Sequence, residues 1–233
     1  MIEGTRLVYL PGLGADAALF KPQAERFGGE TPAWIEPRRG EALGAYAERF
    51  GETVDTSTPW VAIGFSFGGM VALEMACRLP ADRRPRGVVL VSGVRSRAAV
   101  SDGFRAQRAV GGLVPRGIVR AMLDGPMARV FAKRDGLDAG WTEELVSMAG
   151  RADVGFLMWA SAACCRWGFD GVCPVPVRHV HGRRDRIIPY VPHPALEGGV
   201  AELVDAGHLI TWTAAEAVNG FIEAGVRSMV AGR

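Results

Sequence analysis

The 233-residue chain has 27 basic and 25 acidic residues and a net charge of +2, too small an excess to argue for a nucleic-acid partner. A hydrophobic share of 48% supports a substantial core, at this length that of one α/β domain with room for an insertion. No run approaches the ~18 apolar residues of a membrane span.

The first residues, Met1 to Arg6, contain no apolar signal region, so nothing in them marks the chain for export. From there strands and helices alternate, the pattern of a parallel sheet covered on both faces. Arg6 to Leu10 reads as the first strand, followed by the glycine-bearing turn Pro11-Gly12-Leu13-Gly14 and a helix carrying Leu19, Phe20, Ala24 and Phe27. Ala33-Trp34-Ile35 reads as a short second strand closed by Pro37. Leu43 to Val54 spaces Leu43, Tyr46, Ala47, Phe50 and Val54 as one face of an amphipathic helix.

The stretch Pro59 to Pro80 follows. Trp60 to Ile63 has the β-branched, apolar character of a buried strand, and Met70 to Leu79 has near-helical apolar spacing stopped by Pro80. Between them lies Gly64-Phe65-Ser66-Phe67-Gly68, a G-x-S-x-G in the strand-turn-helix context such a motif requires. A turn this sharp brings backbones together where a β-carbon would clash, which is the task of its glycines. It exposes the Ser66 hydroxyl beside the free N–H groups of a helix start. Without its context, G-x-S-x-G is only a glycine-rich turn.

Gly87 to Ser92 is the next strand, and Val175 to Val180 and Val200 to Val204 are the last two, with a closing helix marked by Val218, Phe221, Ile222 and Val226. The interval 94–173 is longer than one crossover needs and reads as a helical lid between two core segments, 1–93 and 174–233. It includes a helix from Trp141 capped by Thr142, and another from Asp153 to Trp167 that bears Phe156, Met158 and Trp159. An insertion here lies over the C-terminal strand ends, where ligands bind in open α/β sheets. Phe65, Phe156 and Trp159 are candidate walls of an apolar pocket, against the plainer alternative that each ring packs the insertion onto the body. Lys21 and Lys133 are the only lysines, and the arginines between Arg83 and Arg120 read as solvated surface.

Two loops after late strands carry the remaining chemistry: His181-Gly182-Arg183-Arg184-Asp185 and Asp205-Ala206-Gly207-His208. Asp102, Asp170 and Asp205 are the rival acids, in less suitable places. His179 and His181 share a strand face as metal ligands would, but no third ligand follows at matching spacing, so packing and loop hydrogen bonding are expected and no metal. His193 reads as loop. Cys77, Cys164, Cys165 and Cys173 form no C-x-x-C and no disulfide framework, which fits reduced thiols in a cytoplasmic protein.

The order Ser66, Asp185, His208 is that of the α/β-hydrolase triad. With LPGLGAD after the first strand, GFSFGGMVALEMA, HGRRDRIIP and AGHL, the chain resembles the α/β-hydrolase superfamily, and within it small bacterial hydrolases sharing LPGLGAD and SFGGM. The resemblance covers the body at both ends and not the insertion. It implies a mainly parallel sheet of about six strands, without the antiparallel pair that opens many members, and an exposed edge through which a homo-oligomer could form. Ser66 would be the nucleophile, His208 its base, and Asp185 the holder of the imidazole, with the amides of Leu13 and Phe67 as the oxyanion hole. Pro11-Gly12 stands where His-Gly is frequent, and Phe65 replaces a common histidine. The implied activity is hydrolysis of small to medium apolar carboxylic esters, without a cofactor. The alternatives are acyl thioester hydrolysis, since GMVALEMACRLP resembles the post-elbow helix of type II thioesterases, and a non-catalytic use of the fold.

Overall fold

The computed structural model describes residues 1–97, 100, 116–170, 172–191 and 201–231. Asp102, His193 and Val200, and with them part of the 94–173 interval, lie outside the described residues.

Five strands, β1 (Arg6–Leu10), β2 (Trp60–Phe65), β3 (Val88–Val91), β4 (Val177–Gly182) and β5 (Ala201–Val204), form one sheet in the order β1-β2-β3-β4-β5. Every pairing is parallel. The register aligns Leu10 with Gly64, Phe65 with Val91, Val91 with Val180, and Gly182 with Val204. The loops leaving β2, β3, β4 and β5 therefore emerge along one rim of the sheet.

Strands buried on both faces must be apolar throughout, as β2 and β3 are. Tyr9, Ile63, Phe65, Val91 and Val180 point to one face, packed with Leu19, Phe20, Val218, Ile222 and Val226. Val8, Leu10, Ala62, Val88 and Leu90 point to the other, packed with Tyr46, Phe50, Val71 and Met75. Each such side chain contributes roughly 1.5–3 kcal/mol when fully buried.

The helices that supply these partners are α1 (Lys21–Phe27), α2 (Leu43–Gly51), α3 (Phe67–Arg78) and, after a single turn α8 (Ile210–Thr213), the closing α9 (Ala215–Ala231). Between β3 and β4 come α4 (Arg116–Leu123), α5 (Pro126–Asp135), α6 (Ala139–Arg151) and α7 (Val154–Arg166). Two aspartates set the starts of α6 and α7. Asp138 accepts the Trp141 amide and Asp153 the Phe156 amide, each satisfying a donor the helix leaves free. The cap of α6 is thus Asp138 and not Thr142, whose hydroxyl instead donates to the Asp138 carbonyl at 2.6 Å. Among the described residues no helix is long and apolar enough to cross a membrane.

The stretch Ala33–Ile35 is not a strand. The free edge of β1 is met instead by Glu30, whose carbonyl accepts from the Tyr9 amide (2.8 Å) and whose amide donates to Leu7 O (3.0 Å). Trp34 instead turns its ring onto Phe50 and Phe67, at centroid distances of 4.8 and 5.6 Å. Burying the indole in an aromatic cluster outweighs a three-residue ladder at an edge. Before β1, Ile2 and Thr5 form only an isolated antiparallel bridge.

Candidate active site

Ser66 is the junction between β2 and α3, and it is held at φ 52°, ψ −116°. A side chain at positive φ is strained by roughly 1–3 kcal/mol and persists only where its surroundings impose it. Three features do so here. The Ser66 amide donates to Val91 O at 3.0 Å, and its carbonyl accepts from Gly69 at 3.0 Å. The loop after β1 presses on the start of α3 so closely that a β-carbon on Gly68 would lie 1.9 Å from Leu10 O. From Trp60 to Ala76, every residue except Ser66 is buried. The turn lifts one hydroxyl out of an otherwise closed segment.

The loop after β1 also reaches the nucleophile itself, since a β-carbon on Gly12 would sit 3.3 Å from Ser66 Cβ. That places the chain preceding Leu13 beside the elbow, and Phe67, as the first residue of α3, has an amide with no helical acceptor behind it. Leu13 packs its side chain against the aromatic face of the core.

The loops after β4 and β5 are tied together through their backbones, Arg183 N to Val204 O at 2.7 Å and Arg184 N to Ala206 O at 2.9 Å. This brings Asp185 to His208, with Nδ1 to Oδ2 at 2.7 Å. Both residues are buried. The other carboxylate oxygen, Oδ1, accepts from the amides of Ile187 and Ile188, each at 2.9 Å. His181 Nε2 approaches Oδ2 at 3.2 Å. Burial alone would raise the pKa of Asp185. The hydrogen bonds from His181 and His208, the charge on His208 and the Ile188 amide outweigh it and hold the carboxyl well below the usual carboxylate range. An anion fixed on Nδ1 leaves Nε2 of the same ring as the atom free to take a proton.

Two contacts steady His208 that the sequence does not reveal. Ser92, fully buried just after β3 and itself at φ 46°, donates its hydroxyl to His208 O at 2.8 Å. Asp135, the last residue of α5, accepts from the Leu209 amide at 2.6 Å. The Phe65 ring meets the His208 ring edge-on at 4.8 Å.

The three pocket candidates fall into two groups. Phe65 belongs to the face of the sheet that packs α9 and supports His208. Phe156 and Trp159, on α7, join Phe67 on the opposite face, with Phe67 to Phe156 at 5.9 Å and Phe67 to Trp159 at 6.4 Å. Tyr46 closes this group at 4.4 Å from Trp159, whose indole N–H donates to Glu41 O. A side chain on β2 and one just past the elbow point to opposite faces, which separates Phe65 from the others.

His179 and His181 do bond, to each other, with Nε2 to Nδ1 at 3.0 Å. Among the described residues no group of three or more His, Cys, Asp or Glu side chains is placed to hold a metal ion. A cleft lined by Glu74, Cys77, Arg78, Trp167, Phe169 and Asp170 lies toward the far end of α3 and includes none of Ser66, Asp185 and His208.

The model of the alpha/beta hydrolase family matches residues 7–221 of this chain. No curated relative matches its sequence. Among solved structures it is similar to an esterase from Exiguobacterium antarcticum, with a TM-score of 0.75 and 17% identity, covering 97% of this chain and 93% of that one. It is similar also to a thermophilic esterase from Thermogutta terrifontis, with a TM-score of 0.71 and 20% identity over 97% and 90% of the two chains. A third similar structure is the enol-lactonase from Burkholderia xenovorans, at 0.67 and 15% over 98% and 92%. At these identities the likeness is one of fold.

Proposed function

The chain belongs to the alpha/beta hydrolase family, and from that premise we propose that it hydrolyses carboxylic esters of small to medium apolar substrates through an acyl-serine intermediate. The observation that carries this reading is the pairing of His208 Nδ1 with the buried carboxylate of Asp185 at 2.7 Å, on the same rim of the sheet as Ser66, a half-buried serine on a strained elbow.

Each step follows from these groups. A neutral serine hydroxyl is a poor nucleophile and needs a base within reach. His208 takes the Ser66 proton on Nε2 as Oγ attacks the ester carbonyl, and Asp185 stabilises the imidazolium so formed. The developing oxyanion is received by the amides of Phe67 and Leu13, donors whose individual loss typically costs ~3–4 kcal/mol of barrier. Collapse expels the alcohol, which takes the proton from His208. Water, activated by the same base, then releases the acid. Similar folds described as esterases support this choice of reaction, and the rings of Phe67, Phe156 and Trp159 favour an apolar acyl group.

The test is turnover of short p-nitrophenyl esters compared with acyl-CoA thioesters, together with fluorophosphonate labelling. The expected result is hydrolysis of the esters, labelling of Ser66, and loss of both in Ser66→Ala. Faster turnover of the thioesters would convert the reading to a thioesterase. Near-wild-type activity in Ser66→Ala, or no labelling and no turnover in the wild type, would overturn the mechanism.

A further inference from the structure

Asp185 has a second histidine, and that histidine has a third behind it. His181 Nε2 lies 2.7 Å from Ile188 O and 3.2 Å from Asp185 Oδ2. Its Nδ1 lies 3.0 Å from His179 Nε2. Both rings are almost fully buried, and Tyr190 covers them at centroid distances of 5.6 and 5.7 Å.

The proton positions follow from which neighbours can only accept. A backbone carbonyl and an ionised carboxylate have no hydrogen to give, so His181 Nε2 carries the proton and donates to both. Two arrangements satisfy the next contact. If Nδ1 of His181 is a lone pair, His179 donates to it from Nε2, and the lone pair of His179 falls on Nδ1. If His181 is doubly protonated, it donates instead, and His179 carries its proton on Nδ1. That atom is buried without a hydrogen-bond partner. A buried N–H without an acceptor is costly. Arg95, whose guanidinium is itself buried and has an unpartnered Nε, is a further charge acting on His179. Burial first, then the proximity of His181 and Arg95, hold His179 well below its ordinary pKa, which agrees with a neutral ring.

We propose that His181 is a positioning residue for Asp185, fixed as the Nε2–H tautomer by a hydrogen bond from His179, so that the carboxylate is oriented by one imidazole and used by another. This rests on reading Asp185 as the acid of the hydrolytic site. Oδ2 then has two donors converging on it, and the two loop amides on Oδ1 complete the set. The carboxylate has no free rotation left, and its alignment with His208 Nδ1 is set before substrate arrives.

Two measurements test it. In the wild-type protein labelled with ¹⁵N-histidine, ring-nitrogen shifts should show both His179 and His181 protonated on Nε2 alone. In turnover of p-nitrophenyl butyrate, His181→Leu should lower kcat about tenfold with KM unchanged, well short of the ~10⁴-fold loss on amidating a triad aspartate. His181→Gln, which keeps a donor at the same end of the side chain, should recover most of that loss. Unchanged kcat in His181→Leu, or an equal loss in both variants, would leave a packing role only and overturn the proposal. So would a His181 proton confined to Nδ1, or present on both nitrogens. Should His181→Leu fail to fold, the shifts in the wild type decide alone. They are independent of turnover, so an inactive wild type would count against the ester reading and not against the tautomer assignment.

Discussion

The carboxylate of Asp135, at the end of α5, accepts the backbone amide of Leu209 at 2.6 Å, and so a helix of the insertion holds the residue that follows His208. The contact ties α5 directly to the loop after β5, and α6 adds to it through the stacking of Trp141 on Trp212 at 4.8 Å. Asp135→Ala leaves the Leu209 amide without its partner, an expected cost of about 1–3 kcal/mol. If the contact orients His208, kcat for a short ester should fall severalfold while KM changes little, and Asp135→Asn, which retains an acceptor, should lie between. A lowered melting temperature with unchanged kcat would reduce Asp135 to a structural tie.

The stability of the protein should depend on pH through His179. Its folded pKa is depressed, by burial first and then by His181 and Arg95. Below the ordinary histidine value of about 6.5, the unfolded chain binds a proton that the folded protein refuses. Stability contributed by the neutral ring is therefore complete above that value and declines as the pH falls below it, by at most ~1.4 kcal/mol per unit. Asp185 has the same sign in a lower window: its depressed carboxyl stabilises the fold above about pH 4 and loses that contribution as the pH falls toward its folded value. Chemical denaturation at a series of pH values between about 5 and 7 separates the two. His179→Phe should flatten the profile there, and an unaltered slope in that variant would show that the group responsible lies elsewhere.

That Ser66, Asp185 and His208 would lie on one rim was legible in the sequence, because each follows a strand closely and a parallel sheet delivers the ends of its strands to one side. The register of β2 through β5 does this. Ser92 and Asp135 were not legible. They act on backbone atoms 116 and 74 residues away in the chain, and a hydroxyl aimed at a carbonyl, or a carboxylate at an amide, has no residue-type signature in its partner. The sequence groups Phe65 with Phe156 and Trp159 because all three are aromatic, Phe65 adjoins Ser66 and the other two lie on the insertion. The pleat of β2 puts Phe65 on the other face, and that alternation was available in the sequence. Ala33–Ile35 failed as a strand for a different reason: three apolar residues fit a ladder and an aromatic cluster equally well, and only the presence of Phe50 and Phe67 nearby decides between them.

The chain-length preference of the enzyme should be set where α7 meets the elbow. Phe67 directly follows Ser66, and its ring stands edge-on to Phe156 and Trp159. An acyl chain leaving the Ser66 ester along this face meets those rings, and each methylene that finds room contributes roughly 0.8 kcal/mol. kcat/KM for p-nitrophenyl esters should therefore rise over the first few carbons and fall when the group is filled. Trp159 also has structural duties, since it packs on Tyr46 at 4.4 Å and its indole N–H holds Glu41 O at 3.1 Å. It is only partly buried, so Trp159→Ala should cost about 2 kcal/mol, less than the ~3–5 of a fully enclosed tryptophan. The removed ring leaves space next to Phe67, and the optimum should move by several carbons toward longer esters. Trp159→Phe keeps an apolar wall without the Glu41 bond, and should lose stability with little shift in the optimum. A loss of stability in both variants, with the chain-length profile of the wild type preserved in each, would place the acyl chain elsewhere and leave this cluster as core.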